Sequence, residues 1–370
     1  MTLVAALVLV VGGSMPASAA PQQVATPYTW GDNQYGQLGD GTHTDRLVPG
    51  PVAIITDASD VAGGREHALA LRASGTVWSW GRNTYGQLGD GTKLSRSSPT
   101  PVTLPLNALE VDAGHYHSMA SLSNGTLWAW GRNTTGALGD GTLINRLTPV
   151  QVTGLTNVIS MAGGRDHSLA IQEGGTVWAW GSNAYGQLGD GTTTNRPSPV
   201  QVTDLTGVVA IAAGHEHSLA VKADGTVWAW GSNVYGQLGD GTKINRLTPV
   251  KLTITGATQV RAGAYHSLAK KTDGTVRAWG RNHKGQLGDG TLVLRKSPVS
   301  VIGLTNATSI GVGRDHSLAA RADRTASAWG LNDFGQLGDG TLVNRSSPVT
   351  ISGLTDATVL AGGRAYSVAL

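Results

Sequence analysis

The chain has 370 residues, 53 of them glycine, with 5% aromatic residues and no cysteine. Without cysteine there are no disulfides, thiolate metal sites or cysteine nucleophiles. A formal net charge of +3 with no basic run leaves no electrostatic footprint for nucleic acid.

The chain opens on an unbroken apolar run, residues 3–11, followed by Gly12-Gly13, Pro16 and Ala17-Ser18-Ala19. Nine apolar residues are too few to span a bilayer but suit the hydrophobic region of a secretory signal, with Ala-x-Ala marking cleavage near Ala19. Residues 1–19 are therefore expected to be a signal peptide, although Met1-Thr2 lacks the usual basic residue. The mature chain would then be secreted or extracytoplasmic, with no membrane span; it would be cytoplasmic if this segment is not a signal. Residues 20–27 read as a short linker.

From residue 28 onward one stretch returns seven times: Trp-Gly-x-Asn-x-x-Gly-x-Leu-Gly-Asp-Gly-Thr. Its Trp falls at Trp30, Trp80, Trp130, Trp180, Trp230, Trp279 and Trp329, a step of 50 residues that slips once to 49. A second marker, Gly-x-x-His-[Ser/Ala]-x-Ala, recurs out of phase at His67, His117, His167, His217, His266 and His316, with Tyr366 in the seventh place. A fixed period of this size means one supersecondary unit repeated.

The best-kept unit predicts four strands: Val208–Ala213, then 217–221, a tight turn at Asp224-Gly225, then 226–230, and finally 250–253 after a long connection, 231–249. Over 226–230 the pattern alternates, with Val227 and Ala229 on one face and Trp228 and Trp230 on the other. Four short strands per repeat, with no helical period, make one propeller blade. The chain begins with the third strand of a unit and ends after the second strand of another. Pairing these half-units closes a ring and removes the exposed strand edges. The expected fold is therefore all-β, a single seven-bladed propeller over residues 28–370, closed by its N- and C-terminal strands within one blade.

The repeated polar residues look structural. Each Gly-Asp-Gly-Thr turn has one Asp and, six residues on, one Arg, as in Asp190 and Arg196. A single carboxylate per turn is poor for Ca²⁺, and no P-loop Lys-[Ser/Thr] follows, so seven loop-fixing ion pairs are expected. Six equivalent His-Ser/Ala placements imply a repeated hydrogen bond instead of one catalytic constellation. The two His-x-His pairs, 115/117 and 215/217, have a spacing that two strand ligands would share, yet they follow a Gly bend. No metal site, cofactor or catalytic residue is assigned. Trp78, Trp128, Trp178 and Trp228 are expected to pack between blades.

With both motifs in register seven times, the chain resembles the regulator of chromosome condensation repeat family over residues 28–370. The resemblance implies a seven-bladed propeller and, from members of different kinds, two functions. One is guanine nucleotide exchange on a nuclear GTPase, acting through a wedge that interrupts the propeller; here the repeat spacing never exceeds 50 residues. The other is capture of a protein by a secreted propeller, through the two residues between Gly and His. Those positions hold Arg65, Glu66, His115, Tyr116, Arg165, Asp166, His215, Glu216, Ala264, Tyr265, Arg314, Asp315, Arg364 and Ala365. They vary while the flanking Gly and His recur. Residues that hold equivalent blades together should recur, whereas residues that meet an asymmetric partner need not. The expectation is a monomeric, secreted, non-enzymatic platform for a protein or other macromolecule, with the charged and aromatic members of this set as its binding rim. The long connections typified by 231–249 are the alternative site, and an exchange factor is the alternative function.

Overall fold

The computed structural model describes residues 24–370; the signal expected at 1–19 and residues 20–23 lie outside it. Within it, twenty-eight strands form seven four-stranded antiparallel sheets. No helix among the described residues is long and apolar enough to cross a membrane. We number the blades in chain order: 58–102, 108–151, 158–201, 208–251, 257–300 and 307–355 for blades 1 to 6, and 360–369 with 28–51 for blade 7.

Blade 4 shows how sequence makes a sheet. Val208–Ala213, His217–Lys222, Val227–Gly231 and Arg246–Lys251 pair side by side in chain order. The hairpin turns on Gly225, whose φ of +75° suits a residue without Cβ, and the Asp224 carboxylate accepts the Thr226 N–H and hydroxyl. The fourth strand differs from the sequence expectation: it begins at Arg246, not Val250, and takes in Pro249. This strand is the outer edge of its sheet, where a residue without N–H forfeits no ladder bond. The register jumps between the Ala229↔Val250 and Gly231↔Arg246 pairs, absorbing the extra residues in a bulge.

Closure follows the expected route. Tyr28–Gly31 pairs antiparallel with Tyr366–Ala369 from Tyr28↔Ala369 through Gly31↔Tyr366, so blade 7 takes two strands from each end of the chain. Part of the expected linker belongs to the ring, because Ala25 exchanges both backbone hydrogen bonds with Ala58 of blade 1.

The core is seven apolar slabs, one between each pair of neighbouring blades. The alternation in Val227–Gly231 sorts as read: Val227 and Ala229 join the slab toward blade 5, Trp230 the slab toward blade 3, with Trp228 packed on its margin. All seven repeated tryptophans are fully buried. Each indole N–H donates to a carbonyl in the loop of the preceding blade, as from Trp230 to Gln187 at 2.9 Å and, across the closure, from Trp30 to Gln336 at 2.9 Å. Gly189 makes room for this: a Cβ there would stand 2.9 Å from the Trp230 indole nitrogen.

The topology gathers the motifs on one face. His217 at the start of the second strand pairs with Gly231 at the end of the third, so the Gly-x-x-His loop and the 231–249 connection leave the blade together. Seven such pairs form one ring face, here the histidine face, around the mouth of a central channel lined by the first strand of every blade.

Candidate functional site

The six histidines form a repeated relay between blades. His67 Nε2 lies 2.9 Å from Ser118 Oγ, and the same bond joins His117 to Ser168, His167 to Ser218, His217 to Ser267, His266 to Ser317 and His316 to Ser367. Each serine donates its proton to a backbone carbonyl, as Ser118 does to Gln87 at 2.8 Å, so it receives one from His. This fixes the neutral Nε2–H tautomer. Burial pushes the pKa of His67, His167, His217, His266 and His316 down to about 3 and that of His117 to about 4. The seventh junction departs from the rule for a visible reason. The serine position on blade 1 is Ala68, which accepts nothing, and Tyr366 replaces histidine, donating instead to the His67 carbonyl.

The Asp/Arg pairs form in all seven connections. Asp190 accepts from Asn183 Nδ2 at 3.0 Å, the Thr192 N–H at 3.0 Å, the Thr192 hydroxyl at 2.7 Å and Arg196 at 2.9 Å. Burial works to raise its pKa, but the Thr192, Arg196 and Asn183 hydrogen bonds outweigh it and hold the carboxyl below its ordinary value. Its oxygens are engaged within the protein. Asn183 is the hub that the ion-pair reading overlooked, since its Oδ1 also accepts the Leu188 N–H at 3.0 Å.

The residues between Gly and His divide into two layers. Their first positions ring the channel mouth, and three arginines reach tangentially to the next blade: Arg364 to Glu66 at 3.2 Å, Arg165 to Glu216 at 3.3 Å, and Arg65 to the Tyr116 hydroxyl. Arg314 lies beside Asp315 on its own loop, 3.3 Å away. The second positions turn inward. Glu66 is 2% exposed, Asp315 5% and Tyr116 9%, while Asp166, Glu216 and Tyr265 are half-buried. Glu66, Tyr116, His215 and Asp315 are buried. Their variation goes with the cation or ring beside each: Glu66 is shared by Arg82 of its own blade and Arg364 of the neighbouring one, and Tyr116 packs edge-on against Tyr85 of the preceding blade.

Two expected metal candidates meet in an unexpected way. His117 and His217 are committed to serines, so neither His-x-His pair converges. His115 and His215, two blades apart, touch perpendicularly with ring centroids 4.2 Å apart over the channel mouth. Burial, then each other's ring for His115 and the nearby arginines for His215, holds both pKa values well below the ordinary histidine value. Among the described residues no third His, Asp or Glu joins them.

Sequence reasoning missed a second ring further out. The residue before the central Gly of the Trp motif is Tyr35, Tyr85, Tyr185, Tyr235 or Phe334 in five blades. Arginines from the first variable position stack on these rings: Arg82 lies 4.8 Å from the Tyr35 centroid, Arg132 5.5 Å from Tyr85, and Arg281 5.1 Å from Tyr235. Tyr185 and Phe334 stay exposed, at 38% and 40%. The variation test applied to the Gly-x-x-His loops would have found these positions had it been applied to the Trp motif.

Fold and face together define a closed seven-bladed propeller whose one face is ringed by arginine and aromatic side chains. The chain belongs to the RCC1-like domain family, whose model matches residues 107–369; models of the regulator of chromosome condensation (RCC1) repeat match 28–71, 74–121 and 58–87. Among solved structures it is similar to Prp20p from Saccharomyces cerevisiae, at 24% identity over 94% of this chain and 91% of that one, with a TM-score of 0.84. It is likewise similar to human WBSCR16, at 24% identity over 94% and 98%, TM-score 0.85. A third likeness is to yeast RCC1 (Prp20) bound to Kap60, at 23% identity over 99% and 96%, TM-score 0.82. At these identities the likeness is one of fold. No curated protein sequence matches the chain.

Proposed function

We propose that the protein is a secreted, monomeric, non-enzymatic propeller that captures a protein partner on its histidine face. The observation that carries this is the outer ring of Tyr35, Tyr85, Tyr185, Tyr235 and Phe334, with Arg82, Arg132 and Arg281 laid on three of its tyrosines. Tyrosine and arginine dominate binding hot spots, and rings already held by stacking lose little freedom when a partner docks. The solved relatives are described as binding proteins: Prp20p with Gsp1p and histones, and yeast RCC1 with Kap60. The repeated histidines and aspartates spend their hydrogen bonds within and between blades, which argues against an acid–base site built from them.

The test is a pull-down from culture medium with the purified propeller as bait. A protein enriched by the parent should be lost with the Tyr185→Ala/Phe334→Ala double variant, whose melting temperature should stay near the parent's because both rings are exposed. Undiminished capture by the folded double variant would move the site off this ring. Recovery of the chain from cytoplasm with residues 1–19 intact, together with accelerated nucleotide release from a GTPase, would replace this reading with the exchange-factor one.

A further inference from the structure

The repeat contains its own control. Equivalent positions in seven blades have nearly the same neighbours, so a charge where other blades hold small or apolar residues needs a separate reason. On the innermost strands one position is Ala62, Ala162, Ala212, Gly311 and Ala361 in five blades, but Asp112 in blade 2 and Arg261 in blade 5. Asp60 and Glu110 occupy another position, which is uncharged in the other five blades: Ser160, Ala210, Gln259, Ser309 and Val359. On the second strand the series runs Leu71, Ser121, Ile171, Val221, Lys270, Ala320, Leu370, a single lysine among uncharged residues.

The fold brings these five exceptions to one cavity. Asp60, Glu110, Asp112, Arg261 and Lys270 all line the central channel, whose volume is about 570 Å³, within the range of small-molecule sites. Blade 5 stands three blades from blade 1 and three from blade 2, the largest separation a seven-bladed ring permits. The acids therefore form one wall and the bases the opposite one.

The acidic wall is held in place by hydrogen bonds. Asp60 accepts the Val111 N–H at 3.4 Å, Asp112 the Gly163 N–H at 2.6 Å, and Glu110 the Ser160 hydroxyl at 3.4 Å. Each bond reaches the next blade, and those on Asp60 and Asp112 leave carboxylate lone pairs toward the channel. The basic wall is less satisfied. Arg261 donates to its own Val260 carbonyl at 3.1 Å, and the side chain of Lys270, a residue only 7% exposed, has no hydrogen bond or ion pair among the described residues. The two walls feel each other: burial lowers the Arg261 pKa while Asp112, Asp60 and Glu110 act to raise it, and neither Asp60 nor Asp112 forms an ion pair with it. A buried lysine without a partner costs stability that Leu, Ile or Val at the same place in other blades avoids.

We propose that the channel binds a small zwitterion, an amino acid or short peptide with free termini, its carboxylate on Lys270 and Arg261 and its ammonium against Asp60 and Asp112. The His115–His215 pair covers the mouth on the histidine face. Entry is from the opposite end, past Ser59, Leu109 and Thr258 near the start of the innermost strands.

The full chain is titrated with glycine and with di-, tri- and tetraglycine, read by calorimetry and by melting temperature at about 10 mM, where a millimolar site is mostly filled. At least one of these should give a saturable rise in melting temperature, and its N-acetylated and its C-amidated forms should each bind at least tenfold more weakly. Lys270→Met should abolish the ligand-dependent rise while raising the ligand-free melting temperature; Asp112→Asn gives a second reading if the first variant misfolds. Arg277→Gln, on the outside of the same blade, should leave the rise unchanged. The proposal is overturned if no glycine oligomer shifts the melting temperature, if capped peptides or acetate alone act as well, or if both channel variants respond like the parent.

Discussion

The seventh blade junction offers a sharp test of how the ring is closed. Six junctions join a histidine to a serine; the seventh joins Tyr366, fully buried, to the His67 carbonyl beside Ala68. Tyr366→His alone removes that hydroxyl and presents a buried imidazole N–H to a methyl group. An unsatisfied buried donor costs roughly 1–3 kcal/mol, and the smaller ring adds a packing loss, so about 3 kcal/mol is expected in total. Ala68→Ser alone places a hydroxyl against the phenol ring, at about 1 kcal/mol, softened because it can donate to the Gln37 carbonyl as Ser118 does to Gln87. The double variant rebuilds the His-to-Ser bond of the other six junctions and should recover roughly 1–2 kcal/mol relative to the sum of the singles. Urea unfolding of the four proteins, with unchanged m, measures this coupling. Additivity within about 0.5 kcal/mol would show that Tyr366 and Ala68 are not a compensating pair, and the reading of the relay as a blade-to-blade fastener would fail.

Three further outcomes follow from the same geometry. The relay histidines have folded pKa values of about 3 to 4, below the unfolded value near 6.5, so their contribution is complete above pH 6.5 and is lost as pH falls toward 4. Asp60 and Asp112, raised by burial to about 6 and about 7, act in the opposite sense over the same window, as do Asp32, Asp166 and Glu216, also raised by burial, but the six relay histidines together with His115 and His215 outnumber these five carboxyls. Melting temperature should therefore fall steadily from pH 7 to pH 4; a flat or rising profile contradicts the buried neutral relay. Asp190→Ala, which strips a nearly buried carboxylate from Asn183, Thr192 and Arg196, should cost about 2–3 kcal/mol by urea unfolding, whereas EDTA should leave the parent's melting unchanged; a chelator-induced drop would revive a calcium loop. Deleting residues 20–31 removes the strand that pairs with Tyr366–Ala369 and should bring aggregation or a large loss of stability by light scattering and calorimetry, while a parent-like melt would contradict closure by split blade.

Much of the architecture is written in local pattern. The Trp period, the Asp-Gly hairpins and the alternation around Trp230 give strand, turn and face directly, because each depends on residues only a few positions apart. Ring closure was legible too, since a unit split between the two ends has a use only if the ends pair. The fourth strand runs through Pro249, and its tolerance for proline comes from being an outer edge, a property of the sheet and not of the segment.

For the site, sequence separated repeated from varying residues, and that division held for the His–Ser relay and the Asp/Arg loops. It did not say which varying residues face solvent. Glu66 stands beneath Arg82 of its own blade and Arg364 of the adjoining one, and those arginines are 16 and 298 residues away in the chain. The meeting of His115 with His215 and the opposition of Arg261 to Asp112 likewise arise only when blades two or three places apart are brought around a common axis. The period thus determined the blade, its turns and the ring. The closed ring alone decided which side chains face each other across the channel, because the distance across it is set by the curvature of seven packed blades and by no interval along the chain.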